Sequence, residues 1–534
     1  MHQEAQPAAG KGSPALQDST IGGCLVCGSP DADILAQCMD GPGDLWHSGL
    51  LRAAAGLLGE LGYWRPCGWW YLNDADPAIT SVAWRVDASA FVVRQSVWEC
   101  LNGFDRAFTS QTAQGLDFGF RLLRSGGVPL HVPGLFPASA GAAPKAELPR
   151  EDIYLFFVRH FKRDYSRYLL FRESIRRRAP YSEWCALREA ERRAAAVPPP
   201  GGCAIPPRPL APLRQPFPRV SVILPTMGRQ EYATDLLKDL ARQTLPPHEV
   251  FVVDATPEAQ RQVGLYEDVA QRVPLRVIWQ QSLGSCRARN EAIRLCSGDY
   301  ILFADDDTRV LPDYIENHVR LLQTYGAHAA NGLDIRADHH RQGCEDLARK
   351  LAQRSPNAQV HVESKFSNAN SCVRREWVER CIGNDVNFDG GYGEDSDFGL
   401  CLAKRGAIVL HNPYSANLHL KPPAGGFRWW GKQAAHHRPQ PWEFNRRTGW
   451  IKPRPSPTIL YGLLKHYSPA QVNEWFLLYV LRGWWPRYLK PHESPWKRAG
   501  LLGFRVLKTP LVLLRIRVAC RFARDLWRRG PIYE

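Results

Sequence analysis

Between Ala194 and Pro218 the chain reads AAAVPPPGGCAIPPRPLAPLRQPFP. A helix interior cannot hold so many prolines, and neither can a central strand, because each proline fixes φ and removes an N–H donor. The chain is therefore expected to be two folded halves joined by a semi-rigid, polyproline-like linker. At 534 residues, 44% hydrophobic and 23% charged, each half is long enough for its own core, and disordered or collagenous readings fall away. An excess of 68 basic over 53 acidic residues, +15 in all, predicts an anionic partner. The opening MHQEAQPAAGKGSP lacks the charged and apolar regions of a signal peptide, and the longest apolar run, Trp475–Leu481, is far too short to span a bilayer. The expected location is cytoplasmic, with peripheral attachment to the inner face of the cytoplasmic membrane as the further expectation. The 14 cysteines are then expected as reduced thiols. Cys24 and Cys27, followed by Cys38 and Cys67, lack a second pair at ligand spacing, which weighs against zinc.

After the linker the hydrophobic period alternates between strand and helix. Val220–Leu224, Glu249–Val253, Leu275–Trp279 and Tyr300–Ala304 read as short buried strands, and Tyr232–Gln243 and Ser285–Cys296 as amphipathic helices. Apolar strands ending in polar residues are the pattern of an open parallel sheet, whose ligands lie beyond the carboxyl ends of the strands. The expected division is a module over 1–150, a helical extension over 151–193, the linker over 194–218, a catalytic domain over 219–425 and a basic, Trp-rich helical region over 426–534.

The two halves are related in sequence. Asp117–Pro133 (DFGFRLLRSGGVPLHVP) aligns without a gap on Asp397–Pro413 (DFGLCLAKRGAIVLHNP). Upstream, Gly103-Phe104-Asp105 lies opposite Asn387-Phe388-Asp389; downstream, IYLFFVRHF from Ile153 resembles ILYGLLKHY from Ile459. Chance likeness of short helices is the alternative. The first half has no counterpart of the VSVILPT, VVDAT or ADDDT strand ends, as expected of a duplicate that kept its back and lost its front.

Three adjacent carboxylates, Asp305-Asp306-Asp307, repel one another and are costly unless solvated or neutralised by a cation. They read either as an acidic surface loop or as a hard-cation site that holds a diphosphate. A second acidic cluster, Glu394-Asp395-Ser-Asp397, follows a glycine run and opens a helix. It reads as a cap that complements the helix dipole or as the source of a general base.

Taken with Pro225-Thr226, Asp254 and the Gly284-Ser-Cys-Arg-Ala-Arg289-Asn290 helix start, these motifs resemble a family 2 glycosyltransferase. That resemblance covers Arg219 to about Lys421. It implies an α/β fold, GT-A, with a truncated GT-A-like module before it and a helical basic region after it. It also implies an inverting transfer from a nucleotide-diphospho-sugar to a hydroxyl on a glycan or lipid-linked acceptor, in bacterial polysaccharide, lipopolysaccharide or glycolipid assembly. Asp395, with Glu394, falls where the family has its base. Asp305, Asp307 and His419 fall where it holds Mn²⁺ or Mg²⁺. Pro225, Thr226, Arg229, Asp254, Gly284, Arg289, Asn290, Asp305 and Asp306 fall on the nucleotide-sugar side. The family often has a second acid after Asp254, where this chain has Ala255. Asp397 and His411 have counterparts in the first half, Asp117 and His131, and read as structural; Gly115 stands where the base would be, so the first module is expected to be inactive.

The tail carries Trp429-Trp430-Gly-Lys, Arg482-Gly-Trp-Trp-Pro-Arg487 and the amphipathic stretch VLKTPLVLLRIRVACRFARDLWRR from Val506. It suits either an anionic membrane interface or packing on its own domain. No RRM, zinc-finger or helix-turn-helix signature accompanies the charge, so no nucleic-acid partner is expected. The competing functions are a non-catalytic glycan- or protein-binding scaffold and a nucleotidyltransferase.

Overall fold

The computed structural model describes residues 19–48, 75–137, 148–281, 284–354, 359–363, 365–389, 391–423, 425, 451, 453–484 and 494–534. Cys67, Trp429 and Trp430, and the Trp485-Pro486-Arg487 end of the second Trp motif, lie outside them. The chain divides into two compact units, with a boundary in the sequence between Pro206 and Pro207.

The first unit runs β1 (Ser19–Ile21), β2 (Cys24–Cys27), α1 (Ala32–Met39), β3 (Leu45–His47), β4 (Ser81–Val82), β5 (Phe91–Arg94), α2 (Gln95–Cys100), α3 (Gln111–Arg124), β6 (Pro129–His131), α4 (Arg150–His160), α5 (Arg163–Arg177) and α6 (Pro180–Ala196). Its strands form one sheet in the order β1-β2-β5-β3-β6-β4. Helix α4 is integral to this unit rather than an extension. Its His160 Nε2 lies 2.8 Å from buried Asp117 on α3, and its Arg159 Nε donates to Asp105 at 2.9 Å.

The second unit runs β7 (Val220–Thr226), α7 (Gln230–Leu240), β8 (Glu249–Asp254), α8 (Gly264–Ala270), β9 (Leu275–Trp279), α9 (Ser285–Ile293), β10 (Tyr300–Ala304), β11 (Thr308–Val310), α10 (Tyr314–Tyr325), β12 (Ala329–Arg336), α11 (Cys344–Ala352), β13 (His361–Val362), β14 (Asn370–Arg374), α12 (Arg375–Cys381), α13 (Glu394–Lys404), β15 (Val409–His419), α14 (Pro457–His466), α15 (Pro469–Trp484), α16 (Pro495–Leu507) and α17 (Thr509–Arg529). The sheet order is β11-β15-β12-β14-β10-β7-β8-β9, with β13 paired to β15. Strands β10, β7, β8 and β9 are parallel, as their apolar runs predict. The sheet is nonetheless mixed, because β14 lies antiparallel between β10 and β12. A buried antiparallel strand carries the same apolar run as a parallel one, so composition does not tell them apart. Ile223, Phe251, Val253, Phe303, Phe366, Trp377 and Phe398 form the core between the sheet and α9, α12 and α13.

The two sheets share a pairing scheme. In the first, β5 pairs with β2 from Cys24 to Arg94, and β3 joins Leu45 to both Val93 and Pro129. In the second, β14 pairs with β10 from Tyr300 to Arg374, and β12 joins Ala329 to both Val373 and Val409. Ser81 opposite His131 repeats as His361 opposite His411. The buried brace repeats too: His466 Nε2 lies 2.6 Å from Asp397, and Lys465 donates to Asp385 at 2.8 Å. Asn102 and Gly103 take left-handed φ, as do Ile382 and Gly383. That match places Gly103–Asp105 opposite Gly383–Asp385, not opposite Asn387–Asp389 as the Phe-Asp likeness suggests. Where β7, β8 and β9 continue the second sheet, the described part of the first has only the short β1.

The proline-rich stretch is not a free spacer. Ile205 N donates to Ser125 O within the first unit. Arg208 N and Ala211 N donate to Tyr325 Oη and Thr324 Oγ1 of α10 in the second. Cys203 is disulfide-bonded to Cys100 across 103 residues, which corrects the expectation that all cysteines are reduced. The remaining described cysteines are free thiols, Cys24 and Cys27 among them.

Asp117 is 1% exposed and also accepts from Arg121 at 2.8 Å. Asp117→Ala would leave Arg121 and His160 facing a carboxylate-sized gap, and should cost the first unit about 3–5 kcal/mol. Denaturant melts would show this. A loss below about 0.5 kcal/mol would mean that the brace carries no stability.

Candidate active site

A cleft of about 150 Å³ opens at the carboxyl ends of β7, β8, β9 and β10. The strand ends supply Pro225, Thr226, Ala255, Gln280 and Asp305–Asp307, the start of α9 supplies Gly284, Ser285 and Arg289, and α13 supplies Glu394. The register of the sheet brings together strand ends from Pro225 to Asp307, and the packing of α13 adds Glu394.

The three aspartates face different partners. Asp306 is held on both oxygens, by Thr226 Oγ1 at 2.7 Å and by Arg229 Nη1 at 3.1 Å. The same Arg229 nitrogen lies 3.1 Å from Asp307 Oδ2. Arg289 Nη2 lies 3.3 Å from Asp305 Oδ1. Burial lifts Asp305 to about 6, with Asp307 and Asp395 adding to the rise and Arg289 opposing it. Burial likewise lifts Asp306 to about 7 against the pull of Arg229. Arg289 stays charged: burial works against it, but Asp305 and Asp395 outweigh that.

His419 reaches the cluster because β15 runs antiparallel to β11, setting His419 opposite Thr308. Its Nε2 is 3.5 Å from Asp307 Oδ1 and its Nδ1 3.4 Å from Asp334 Oδ1. Burial disfavours the imidazolium, yet the two carboxylates hold His419 up at about 10. The two acids thus favour the charged imidazole of His419 in the free protein. Two carboxylates and an imidazole on one side of a cleft make a donor set suited to Mn²⁺ or Mg²⁺, and the buried Nε2 of His419 makes no hydrogen bond there. The donor types suit the metal, although in the free protein Asp305, Asp307 and His419 do not gather as closely as His361, Glu363 and His411 do.

Helix α13 begins after Gly393, whose φ of +109° suits glycine, and carries Glu394 and Asp395 in its first turn. Asp395 Oδ1 accepts from Asn368 Nδ2 at 2.7 Å and from Asn368 N at 3.3 Å. Asn368 was not visible as a site residue in its own stretch, SNANS. Comparing the two halves could have found it. The offset that sets Asp117 on Asp397 sets Ala88 on Asn368 and Gly115 on Asp395, so both members of the pair differ together. Gln280 and Ser285, also in the cleft, were missed; their positions at a strand end and a helix start were the available signal.

Two expected nucleotide-side residues lie elsewhere. Asp254 is 0% exposed, and its carboxylate accepts from Gln230 Nε2, Tyr266 Oη and Thr256 N, so it organises the β8 end rather than facing the cleft. Asn290 turns away to bond Asn384 and the Tyr533 carbonyl. Gly284 does line the cleft, and has no room for a side chain: a Cβ there would stand 2.2 Å from Asp389 Oδ2. Asp389 in turn accepts from Cys286 N at 2.7 Å, fixing the helix start that delivers Arg289.

An open sheet with its ligand cleft beyond the strand ends is the doubly wound α/β class. Residues 221–369 match the model of glycosyl transferase family 2, and residues 300–489 that of glycosyl transferase family group 2. The second unit carries a family 2 glycosyltransferase domain. Among curated proteins, the chain is 32% identical over 108 residues to the uncharacterized glycosyltransferase YwdF of Bacillus subtilis, covering 20% of this chain and 39% of that one. It is 35% identical over 101 residues to the poly(ribitol-phosphate) β-N-acetylglucosaminyltransferase TarS of Staphylococcus aureus, covering 18% and 17%. The chain thus spans about two fifths or less of these relatives' lengths. A crystal structure of a fragment of S. aureus TarS with UDP-GlcNAc is 16% identical, covers 59% of this chain and 93% of that one, and has a TM-score of 0.37.

Proposed function

We propose that this chain is an inverting, metal-dependent glycosyltransferase that moves a sugar from a nucleotide-diphospho-sugar to a hydroxyl of a glycan or lipid-linked acceptor. The observation that carries the reading is the gathering of Asp305, Asp307, Arg229, Arg289 and Glu394 in one cleft, with His419 beside Asp307 and Asp395 close enough to bear on the charge of both Arg289 and Asp305. A metal held by Asp305, Asp307 and His419 would supply positive charge to the departing diphosphate. Arg289 and Arg229 are positioned to hold phosphate oxygens at the same mouth. Asp395 takes the acceptor proton on the oxygen that Asn368 leaves free, as the hydroxyl attacks the anomeric carbon. Testing a panel of nucleotide-diphospho-sugars for hydrolysis with and without Mn²⁺ decides the matter; no turnover of any donor would overturn the reading.

The first unit reads as a duplicate of the second that has lost the nucleotide-binding strands. Where Asp305-Asp306-Asp307 follow β10, the paired register places Ser29-Pro30-Asp31 after β2, and Asp31 accepts from Asp33 N and Ile34 N to cap α1. It should bind no donor.

Asn368 acts as a positioning residue. Asn368→Ala should lower the transfer rate by about ten- to a hundredfold, by letting the base swing, while donor affinity measured by calorimetry stays the same. An unchanged rate would remove Asn368 from this role.

A further inference from the structure

Helix α16 has no counterpart in the first unit. There α5 passes within a short turn into α6, which packs on α4; in the second unit α17 packs on α14, and α16 stands between α15 and α17. None of the described side chains of α16 is buried. Trp496 is 86% exposed and Leu507 80%, and Leu502, Phe504 and Val506 are exposed with them. The apolar surface continues onto the start of α17 through Leu511, Leu513 and Leu514. Further along α17 the character changes: Ala519 and Ala523 are fully buried in a core with Leu460, Tyr461 and Leu463 of α14. A helix this short is marginal in water unless a face of it is covered.

The charge says what covers it. From Ser494 to Arg524 the chain has eight basic residues (Lys497, Arg498, Arg505, Lys508, Arg515, Arg517, Arg521 and Arg524) and no Asp or Glu. Exposed Trp, Phe and Leu interleaved with basic residues suit the boundary between lipid headgroups and acyl chains. No described helix is long and apolar enough to cross a membrane, so attachment by this face is in the plane of the surface.

We propose that α16 and the first turns of α17 dock on an anionic lipid surface, with Trp496, Phe504, Leu507 and Leu513 entering the headgroup boundary. The back of α17 is excluded, because it and the chain end are structural: Val386 N donates to Ile532 O, and Ile532 N to Asp385. Point substitutions therefore test the proposal and truncation does not. The proposal stands independently of the sugar-transfer reading.

The full-length chain should sediment with vesicles of equal parts phosphatidylglycerol and phosphatidylcholine, weakly or not at all with phosphatidylcholine alone, and less as salt rises. The double variant Phe504→Glu, Leu507→Glu should bind the anionic vesicles at least about tenfold more weakly, since two large apolar side chains no longer leave water. Its thermal melt should stay close to that of the parent, because Leu507 is 80% exposed and Phe504 about half exposed, with Lys508 over its ring. Failure of the parent to bind, equal binding to neutral vesicles, or undiminished binding by the variant would overturn the proposal. So would a parent that sediments alone as a dimer and a variant that is monomeric, which would assign the face to a second copy of the chain.

Discussion

Replacing Asp395 with Asn is expected to lower sugar transfer by at least about a hundredfold, or about 2.7 kcal/mol of barrier, with donor affinity nearly unchanged. The amide can keep its oxygen on Asn368, which now donates to Asp395 Oδ1 at 2.7 Å, so the helix start should keep its shape. What it loses is the capacity to accept a proton. Donor affinity should survive because the groups proposed to face the phosphates, Arg229, Arg289 and the Asp305 cluster, keep their side chains. The comparison needs two measurements on each protein: single-turnover transfer and donor calorimetry. Transfer at the parent rate would exclude Asp395 as the base.

The second large effect is expected at Asp307. This carboxylate lies 3.1 Å from Arg229 Nη1 and 3.5 Å from His419 Nε2, so Asp307→Ala removes a proposed metal ligand and one of the two carboxylates beside each cation. Metal-dependent donor binding should fall by at least about a hundredfold, and chelation should silence the parent to the same level. The metal competes with protons for this site. Because burial lifts Asp305 to about 6, metal affinity should drop as pH falls through that value and the carboxylate takes up its proton. Titrating Mn²⁺ at pH 5 and at pH 7.5 tests the sign; tighter binding at the lower pH, or full activity in excess chelator, would refute the metal assignment for Asp305, Asp307 and His419 together.

Strands β7, β8 and β10 of the second unit were legible because each is an apolar run closed by a polar residue, with its interior buried; β9, at the sheet edge, carries an exposed Arg276 and was legible only by its length and neighbours. Asp305–Asp307 and Glu394-Asp395 were legible for a related reason: clustered like charges are costly, and their positions beside a strand end and a helix start give that cost a use. Asp254 misled by the same logic, since a polar strand end marks a place near the ligand without saying which way the side chain turns. Gln230 and Tyr266 claim its carboxylate from elements that no local pattern connects to it.

The sequence by itself determined the division at the proline-rich stretch, the α/β alternation after it, the internal likeness of the halves and the acidic clusters, since these depend on neighbouring residues and on backbone preference. Only the tertiary structure decided the antiparallel insertion of β14, the Cys100–Cys203 bond, the delivery of His419 to Asp307 and the pairing of Asn368 with Asp395. It also separated the buried back of α17 from its exposed front, although both are written in one amphipathic pattern. Each of these depends on which distant segment arrives beside a residue, and that is set by sheet register and helix packing.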